Sequence, residues 1–200
     1  MAHNGEQILR VEGVSKRYGG VRALDGVQFD LNYGEVHALV GENGAGKSTL
    51  IKVLGGIVPR DAGTITFEGR EVVYHTPAAA QAAGIAIIHQ ELSMMPSLSV
   101  MENLFMSTLG SAGGILNWRD LNRRAREAMA LVDLDADPAA LVRDLPISQR
   151  QMIEIARALS ANAHLIIMDE PNSSLSETES ERLFTLINTL KARGIAIIYV

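Results

Sequence analysis

The stretch GENGAGKST, residues 41–49, combines the residue types that bind phosphate groups. It fits the pattern G-x-x-x-x-G-K-[ST] and lies between a predicted strand and a predicted helix, the context that this motif requires. Its glycines let backbone N–H groups converge on phosphate oxygens, and the helix N-terminus adds positive potential. Lys47 would bridge the β- and γ-phosphates, and the Ser48 hydroxyl would coordinate Mg²⁺. The candidate ATP-binding residues here are Gly41, Glu42, Asn43, Gly44, Ala45, Gly46, Lys47, Ser48 and Thr49. The alternative is a glycine-rich turn in which the lysine is accidental.

Two carboxylates follow the apolar run HLIIM, residues 164–168. Asp169 can hold Mg²⁺ through water, as the second acidic element of such sites does. Glu170 lies one residue further, where a carboxylate can orient or deprotonate an attacking water. A strand that simply ends in polar residues is the alternative, but the pairing with the phosphate-binding loop favours a site. Lys47 and Glu170 are therefore candidate catalytic residues.

The octamer LPISQRQM, residues 145–152, stands just before this apolar run. Ser148 and Gln151 form the pattern S-x-x-Q, which is typical of a capping box at a helix start. On that interpretation the octamer only begins a helix. The alternative interpretation is that the octamer forms part of an active site, which the local pattern alone does not decide.

Strands and helices alternate along the chain and would position these residues. The region 7–31 alternates apolar and polar residues between glycines, which predicts short antiparallel strands with tight turns, and GTITFEGREVVY predicts a hairpin that turns near Gly69. Continuous apolar runs predict buried parallel strands, with EVHALV ending in glycine. These runs are 35–40, 85–89, 164–169 and 195–200.

Helical patterns separate these strands. The first predicted helix starts at Lys47 and ends at Gly55-Gly56. The second covers 77–83, with Thr76 as cap and Pro77 at the first position. The third covers 149–160, and the fourth runs from Glu177 to Gly194. The segment 90–144 is a predicted helical insertion. The fold class is thus α/β, a P-loop NTPase core with a mainly parallel sheet, an N-terminal antiparallel β subdomain and a helical insertion. We expect one incomplete domain over 1–200, with antiparallel β structure at 7–34 and 63–75 and a helical subdomain at about 91–147.

Composition excludes several classes of protein. The chain is 47% hydrophobic and 20% charged, which is ordinary for a globular domain. Its net charge of −5 and its lack of basic runs argue against nucleic acid as a partner. It has no cysteine, and the start MAHNGEQ does not resemble a signal peptide. Its apolar runs are shorter than the roughly 20 residues that cross a bilayer, so a membrane role would come through partners.

Four motifs in this order resemble the ATP-binding subunits of ABC transporters, especially importers of ribose- and galactose-type monosaccharides. The motifs are VGENGAGKSTLIKVLGG, IIHQELSMMPSLSVMENLFM, ISQRQMIEIARALS and LIIMDEPNSSLSETE, and the resemblance extends from Ile8 to Val200. It implies an ATPase that uses ATP and Mg²⁺ to energise sugar uptake. Its implied partners are integral membrane permease subunits, a sugar-binding protein and a second ATPase module. The implied location is cytoplasmic, on the inner face of the cell membrane.

The resemblance also implies roles for single residues. Tyr18 matches the aromatic residue that stacks on adenine, although it could equally be a strand aromatic that covers the small core. Gln90 matches a glutamine that reaches Mg²⁺ and the water, and a plain loop glutamine is the alternative. SLSVMENLF would lie near the surface that contacts the membrane subunits, unless Ser99 and Glu102 only form a capping box.

In the same family, the helix that begins at the octamer points its N-terminus at ATP bound to the opposite module. The matching residues are Ile147, Ser148 and Gln149, and the usual wording is L-S-G-G-Q. Pro146 replaces the serine that supplies a hydroxyl, and it can donate neither an N–H nor an O–H. Ser148 keeps its N–H and hydroxyl, so it either contacts a phosphate in trans or caps its own helix.

Two further departures concern the end of the chain. Ser176 stands where many relatives have aspartate, and with Glu179 it forms another capping-box pattern. The family's γ-phosphate histidine would follow Val200, and His164 is no substitute because it opens the strand whose other end bears Asp169. We therefore expect either an excerpt or a truncated product. The alternatives to a transport ATPase are a nucleotide-binding module without turnover and a soluble ABC protein without a permease.

Overall fold

The computed structural model describes residues 5–89, 93–109, 117–173 and 175–200. Strands in these ranges form an antiparallel sheet and a parallel sheet, and six α-helices pack around them. This arrangement confirms the predicted α/β fold class. None of the helices in these ranges combines the length and the apolar composition that a membrane-spanning helix requires.

The antiparallel sheet has the strand order β2-β1-β4-β5. Its strands are β1 (Gln7–Tyr18), β2 (Val21–Asn32), β4 (Ala62–Phe67) and β5 (Arg70–Glu71). The prediction of several short strands over 7–31 was wrong, because Gly13 and Gly26 interrupt the register without ending a strand. Both glycines have positive φ, so the chain bends at irregularities and pairing continues on either side. The hairpin that turns near Gly69 is confirmed.

The parallel sheet has the strand order β3-β8-β7-β6. Its strands are β3 (Val36–Ala38), β6 (Ile85–Ile88), β7 (Leu165–Met168) and β8 (Ala196–Tyr199). The prediction of a buried strand over 35–40 was only partly correct, because β3 is three residues long and Val40 is 89% exposed. Within the described ranges, β3 lies at the sheet edge and pairs only with β8, so one side of it is left uncovered.

The helices are α1 (Lys47–Leu54), α2 (Pro77–Ala82), α3 (Val100–Leu109), α4 (Trp118–Ala130), α5 (Ile147–Ser160) and α6 (Glu177–Ala192). Three of the predicted caps are confirmed. The Thr76 side chain accepts from the N–H of Ala79, and Ser176 forms a reciprocal capping box with Glu179. Ser99 and Glu102 exchange the same bonds at the start of α3. Local side-chain chemistry therefore fixes where these helices begin.

Strand β7 lies between two hydrophobic cores. Leu165 and Ile167 face a core that includes the antiparallel sheet and α1, whereas Ile166 and Met168 face a core that includes α3–α6. All four side chains are fully buried. The strand is apolar throughout because successive side chains point to opposite faces and both faces are covered. Its C-terminal end leads directly to the predicted carboxylates.

Gly63 should be essential for the contact between β4 and β1. A Cβ at this position would lie 2.4 Å from the backbone carbonyl carbon of Gly13, and Gly63 has φ +85°. We expect Gly63→Ala to lower the free energy of unfolding by about 3 kcal/mol, because a left-handed backbone and a backbone clash act together. The measurement is denaturant unfolding.

Gly20→Ala is the matched control for this prediction. Gly20 has no heavy atom within 4 Å of its built Cβ and no positive φ. Its substitution should change the free energy of unfolding by less than about 0.5 kcal/mol. Equal unfolding curves for the two variants would contradict the close approach of β4 to β1.

Candidate active site

The phosphate-binding motif forms the loop between β3 and α1. Gly44 and Gly46 have φ of 88° and 95°, values that glycine adopts without strain. A Cβ at Gly46 would lie 2.4 Å from the carbonyl oxygen of Ala23 on β2, so the loop packs against the antiparallel sheet. Helix α1 begins at Lys47 without a side-chain cap. Its first N–H groups have no partner within the helix and are suited to bind an anion.

Lys47 folds back over this loop. Its ammonium donates to the carbonyl oxygens of Gly41 and Glu42, the second at 3.0 Å. The side chain of Ser48 is exposed beside it. The loop therefore presents a cation, a hydroxyl and helix N–H groups on one side, which is the set of donors that a polyphosphate requires.

Asp169 directly follows β7 and reaches the same end of the parallel sheet. Its N–H donates to the carbonyl oxygen of Ile88 at the end of β6, at 2.9 Å. Burial raises the pKa of Asp169 above its usual value, and the neighbouring Glu170 raises it further. Lys47, Lys52 and His89 oppose this rise through their positive charges. Asp169 and Lys47 thus interact electrostatically, so the structure brings the two sequence motifs together.

Glu170 has a left-handed backbone, with φ 48°. This conformation costs energy for a residue with a side chain, and the following Pro171 further restricts the α region. The carbonyl oxygen of Glu170 accepts a hydrogen bond from the N–H of Ser173 at 3.2 Å, which closes a tight turn. A strained backbone at a candidate catalytic carboxylate is typical of functional sites.

The predicted Ser148 capping box is absent from α5. The helix begins at Ile147 after Pro146, so Ser148 lies inside the first turn instead of at the cap. Proline is well placed before a helix because its fixed φ and missing N–H cost nothing there. The Ser148 hydroxyl hydrogen-bonds to Glu179 in α6 instead, and this bond is the main reason that the pKa of Glu179 falls to about 2. The capping interpretation of Ser148 was therefore wrong.

The remaining predicted residues lie in different places. Tyr18 is 45% exposed at the end of β1, with the Lys16 ammonium 5.7 Å from its ring centroid. Its predicted stacking on adenine stays a prediction. Ile147 and Gln149 lie at the start of α5, where Ile147 is exposed. Gln90 lies outside the described residues.

His164 lies at the opposite end of β7 from the two carboxylates. Its Nδ1 is 2.5 Å from a carboxylate oxygen of Glu68, and its Nε2 is 3.1 Å from the amide nitrogen of Asn162. These partners belong to the start of the strand and the β4–β5 turn. His164 therefore takes no part in the candidate active site, in agreement with the sequence analysis.

Sequence reasoning missed two polar residues on the buried face of α5. Gln151 is 6% exposed and donates from Nε2 to the carbonyl oxygen of Pro171. Glu154 is 3% exposed and accepts from the N–H of Ser93 at 2.8 Å, and burial raises its pKa. Both residues occupy the apolar stripe of an amphipathic helix. Polar residues in such a stripe were the available signal, because burial requires a partner for each of them.

Known proteins resemble this chain over most of its length. The ABC transporter family matches residues 24–173. The chain is 51% identical over 192 residues to the arabinose import ATP-binding protein AraG 1 of Burkholderia cenocepacia. The aligned region covers 96% of this chain and 38% of that relative. It is 48% identical over 193 residues to a protein of Agrobacterium fabrum named as a ribose/galactose/methyl galactoside import ATP-binding protein, with the same coverage.

A solved structure is similar to this chain over a larger share of its own length than the two import proteins are. An ATP-binding cassette of an ABC transporter in its ADP conformation has a TM-score of 0.86 and 30% identity, covering 96% of this chain and 80% of that one. The chain therefore belongs to the ABC transporter family. It spans less than two fifths of the length of the two import proteins.

The bond between Ser148 and Glu179 can be tested by titration. We expect Ser148→Ala to raise the pKa of Glu179 from about 2 towards 4.5, the ordinary value of a glutamate side chain, because the largest stabilisation of the carboxylate is lost. Since the folded-state pKa is lowered, this bond contributes stability above pH 4.5 and loses it as the pH falls towards 2. The measurement is NMR of ¹³C-labelled glutamate carboxyl groups during acid titration.

The matched control is Ser160→Ala, at the other end of α5. It should leave the pKa of Glu179 unchanged. An unchanged pKa in Ser148→Ala would show that the Ser148 hydroxyl does not bond to Glu179 in solution.

Proposed function

We propose that this chain is the ATP-binding and ATP-hydrolysing part of an importer that takes up a monosaccharide. The observation that carries the proposal is the convergence of the phosphate-binding loop, Asp169 and Glu170 at one end of the parallel sheet. In open α/β sheets, ligands bind beyond the carboxyl ends of the strands. The names of the import relatives support a sugar as the transported substrate.

The residues present fit MgATP. The N–H groups at the start of α1 and the Lys47 ammonium suit the β- and γ-phosphates, and the exposed Ser48 hydroxyl suits Mg²⁺. Asp169 would hold the ion through water, with Gln90 as a further proposed ligand. Bound Mg²⁺ would neutralise charge on the transferring phosphoryl group. Within the described ranges, no group of three or more His, Cys, Asp or Glu could hold a metal. Phosphate oxygens of the nucleotide and water molecules would therefore complete the coordination of Mg²⁺ beside the protein ligands.

Hydrolysis needs a group that orients or deprotonates water. We assign this role to Glu170, whose left-handed backbone forms a turn just beyond the end of β7. The loop N–H groups and Lys47 would stabilise the charge that develops on the phosphate. Catalysis would therefore be mostly positioning and charge neutralisation.

Complete turnover would need a second module. Ile147, Ser148 and Gln149 would face the nucleotide bound to that module across the interface. The Ser148 hydroxyl is engaged with Glu179 within its own module. That engagement and Pro146 favour a second candidate function, a module that binds nucleotide and pairs but contributes little to turnover.

Glu170→Gln should separate binding from chemistry. The variant keeps the side chain's shape but removes its basicity, so we expect unchanged MgATP affinity and a loss of hydrolysis of at least about 100-fold. Calorimetry and phosphate release from the natural full-length product are the measurements. Glu127→Gln on the exposed face of α4 is the control and should hydrolyse like the wild type. Unchanged turnover in Glu170→Gln would remove Glu170 from the role of base.

The proposed partners are integral membrane permease subunits and a sugar-binding protein, which would hold this chain at the cytoplasmic face of the membrane. We expect affinity capture of the natural product from detergent-treated membranes to recover a protein with several membrane spans. Mass spectrometry would identify it. Recovery of only soluble repair or translation factors would instead support a soluble ABC protein without a permease.

A further inference from the structure

Gln151 connects α5 to the turn that contains Glu170. The residue lies one turn inside the helix and is 6% exposed. Its Nε2 donates to the carbonyl oxygen of Pro171, the residue that directly follows Glu170. The bond joins residues 20 positions apart in the sequence. It therefore ties the helix that begins at Ile147 to the proposed catalytic turn of the same module.

The turn at Glu170 needs such support. Its left-handed backbone is strained, and a conformation of this kind persists only where the surroundings enforce it. The N–H of Asp169 is fixed on one side by the carbonyl oxygen of Ile88. On the other side, the carbonyl oxygen of Pro171 is fixed by Gln151. Glu170 is thus held between two backbone anchors.

The side chain of Gln151 is not explained by packing. Among the described residues its Oε1 has no hydrogen-bond partner, although the atom is buried. An apolar side chain of similar length would avoid that cost. The orientation of the amide is determined by its contact, because a carbonyl oxygen of Pro171 can be met only by the donor end. The donor to Pro171 is therefore the feature that distinguishes glutamine from leucine here.

A second link lies beside the first. Ser148 precedes Gln151 by three residues and so lies on the same side of α5. Its hydroxyl bonds to Glu179, whose carboxylate also accepts from the Ser176 N–H at 3.0 Å in the capping box of α6. The first turns of α5 therefore contact the chain both just after Glu170 and at the start of α6.

We propose that Gln151 is a positioning residue that holds the backbone of Glu170 in its productive conformation through the carbonyl oxygen of Pro171. The proposal rests on the role of Glu170 as the base.

Gln151→Leu tests the proposal because leucine fills a similar volume and donates no hydrogen bond. In the natural full-length product we expect kcat to fall by about 10- to 100-fold, since small misplacements of a catalytic group have effects of this size. The affinity for MgATP should change by less than about twofold, because the phosphate-binding loop is untouched. An unchanged kcat would overturn the proposal.

Ile65→Ala separates positioning from a general loss of stability. Ile65 is buried in β4, in the core that includes the antiparallel sheet, whereas Gln151 lies on α5, whose apolar residues pack in the other core. Its replacement should lower the melting temperature but leave kcat near the wild-type value below that temperature. A proportional fall of kcat and stability in both variants would mean that Gln151 is only structural.

Gln151→Glu provides a rescue. Its protonated carboxyl group can donate an O–H to Pro171, whereas its ionised form can only accept. The ratio of its kcat to that of the wild type should therefore rise as the pH is lowered, while the ratio for Gln151→Leu stays constant. Parallel pH profiles for the two variants would contradict the donor role.

Hydrogen exchange distinguishes failure of this inference from failure of the proposed function. In Gln151→Leu, the amides of Glu170, Asn172 and Ser173 should exchange faster and those of α1 should not. Faster exchange in a protein whose wild type does not hydrolyse ATP would leave the link intact and refute Glu170 as the base. Unchanged exchange would refute the link, whatever the activity.

Discussion

The parallel pairing of β7 with β6 and β8 is the constraint on which the rest of the structure depends. Because all three strands run in one direction, their carboxyl ends meet at one edge, and backbone bonds continue the pairing to Asp169 and Val200. Alternate side chains of β7 pack into two different cores, which stabilises this register. A slip of β7 by one residue would turn each side chain toward the other core. The placement of Asp169 at the carboxyl end of the sheet, where Lys47 acts on it electrostatically, depends on that register.

Helix α5 is the second organising element. Its apolar stripe packs in the core that includes the insertion helices α3 and α4. Polar residues in the same stripe reach out of that core, Gln151 to Pro171 and Glu154 to Ser93. One helix thus contacts both the turn of Glu170 and the segment that contains Ser93.

The sequence predicted what depends on local pattern and spacing. The loop between β3 and α1, the carboxylates after β7 and the caps at Thr76 and Ser176 were predicted correctly, because each is set by residues close together in the chain. The alternative in which Ser148 caps its own helix was wrong, since its hydroxyl has a partner about 30 positions away in α6, which no local rule includes. The length of β1 and β2 was missed because glycine bulges resemble turns in a sequence.

The most direct test of the account is the calorimetric affinity of the natural protein for MgATP, compared with that of Lys47→Met. Lys47 is the cation that lies over the phosphate-binding loop and interacts electrostatically with Asp169. Its loss should therefore weaken MgATP binding by at least about tenfold, the equivalent of 1.4 kcal/mol. A melting curve would confirm that the variant is folded. Equal affinities for MgATP would contradict the claim that this edge of the sheet is a nucleotide site.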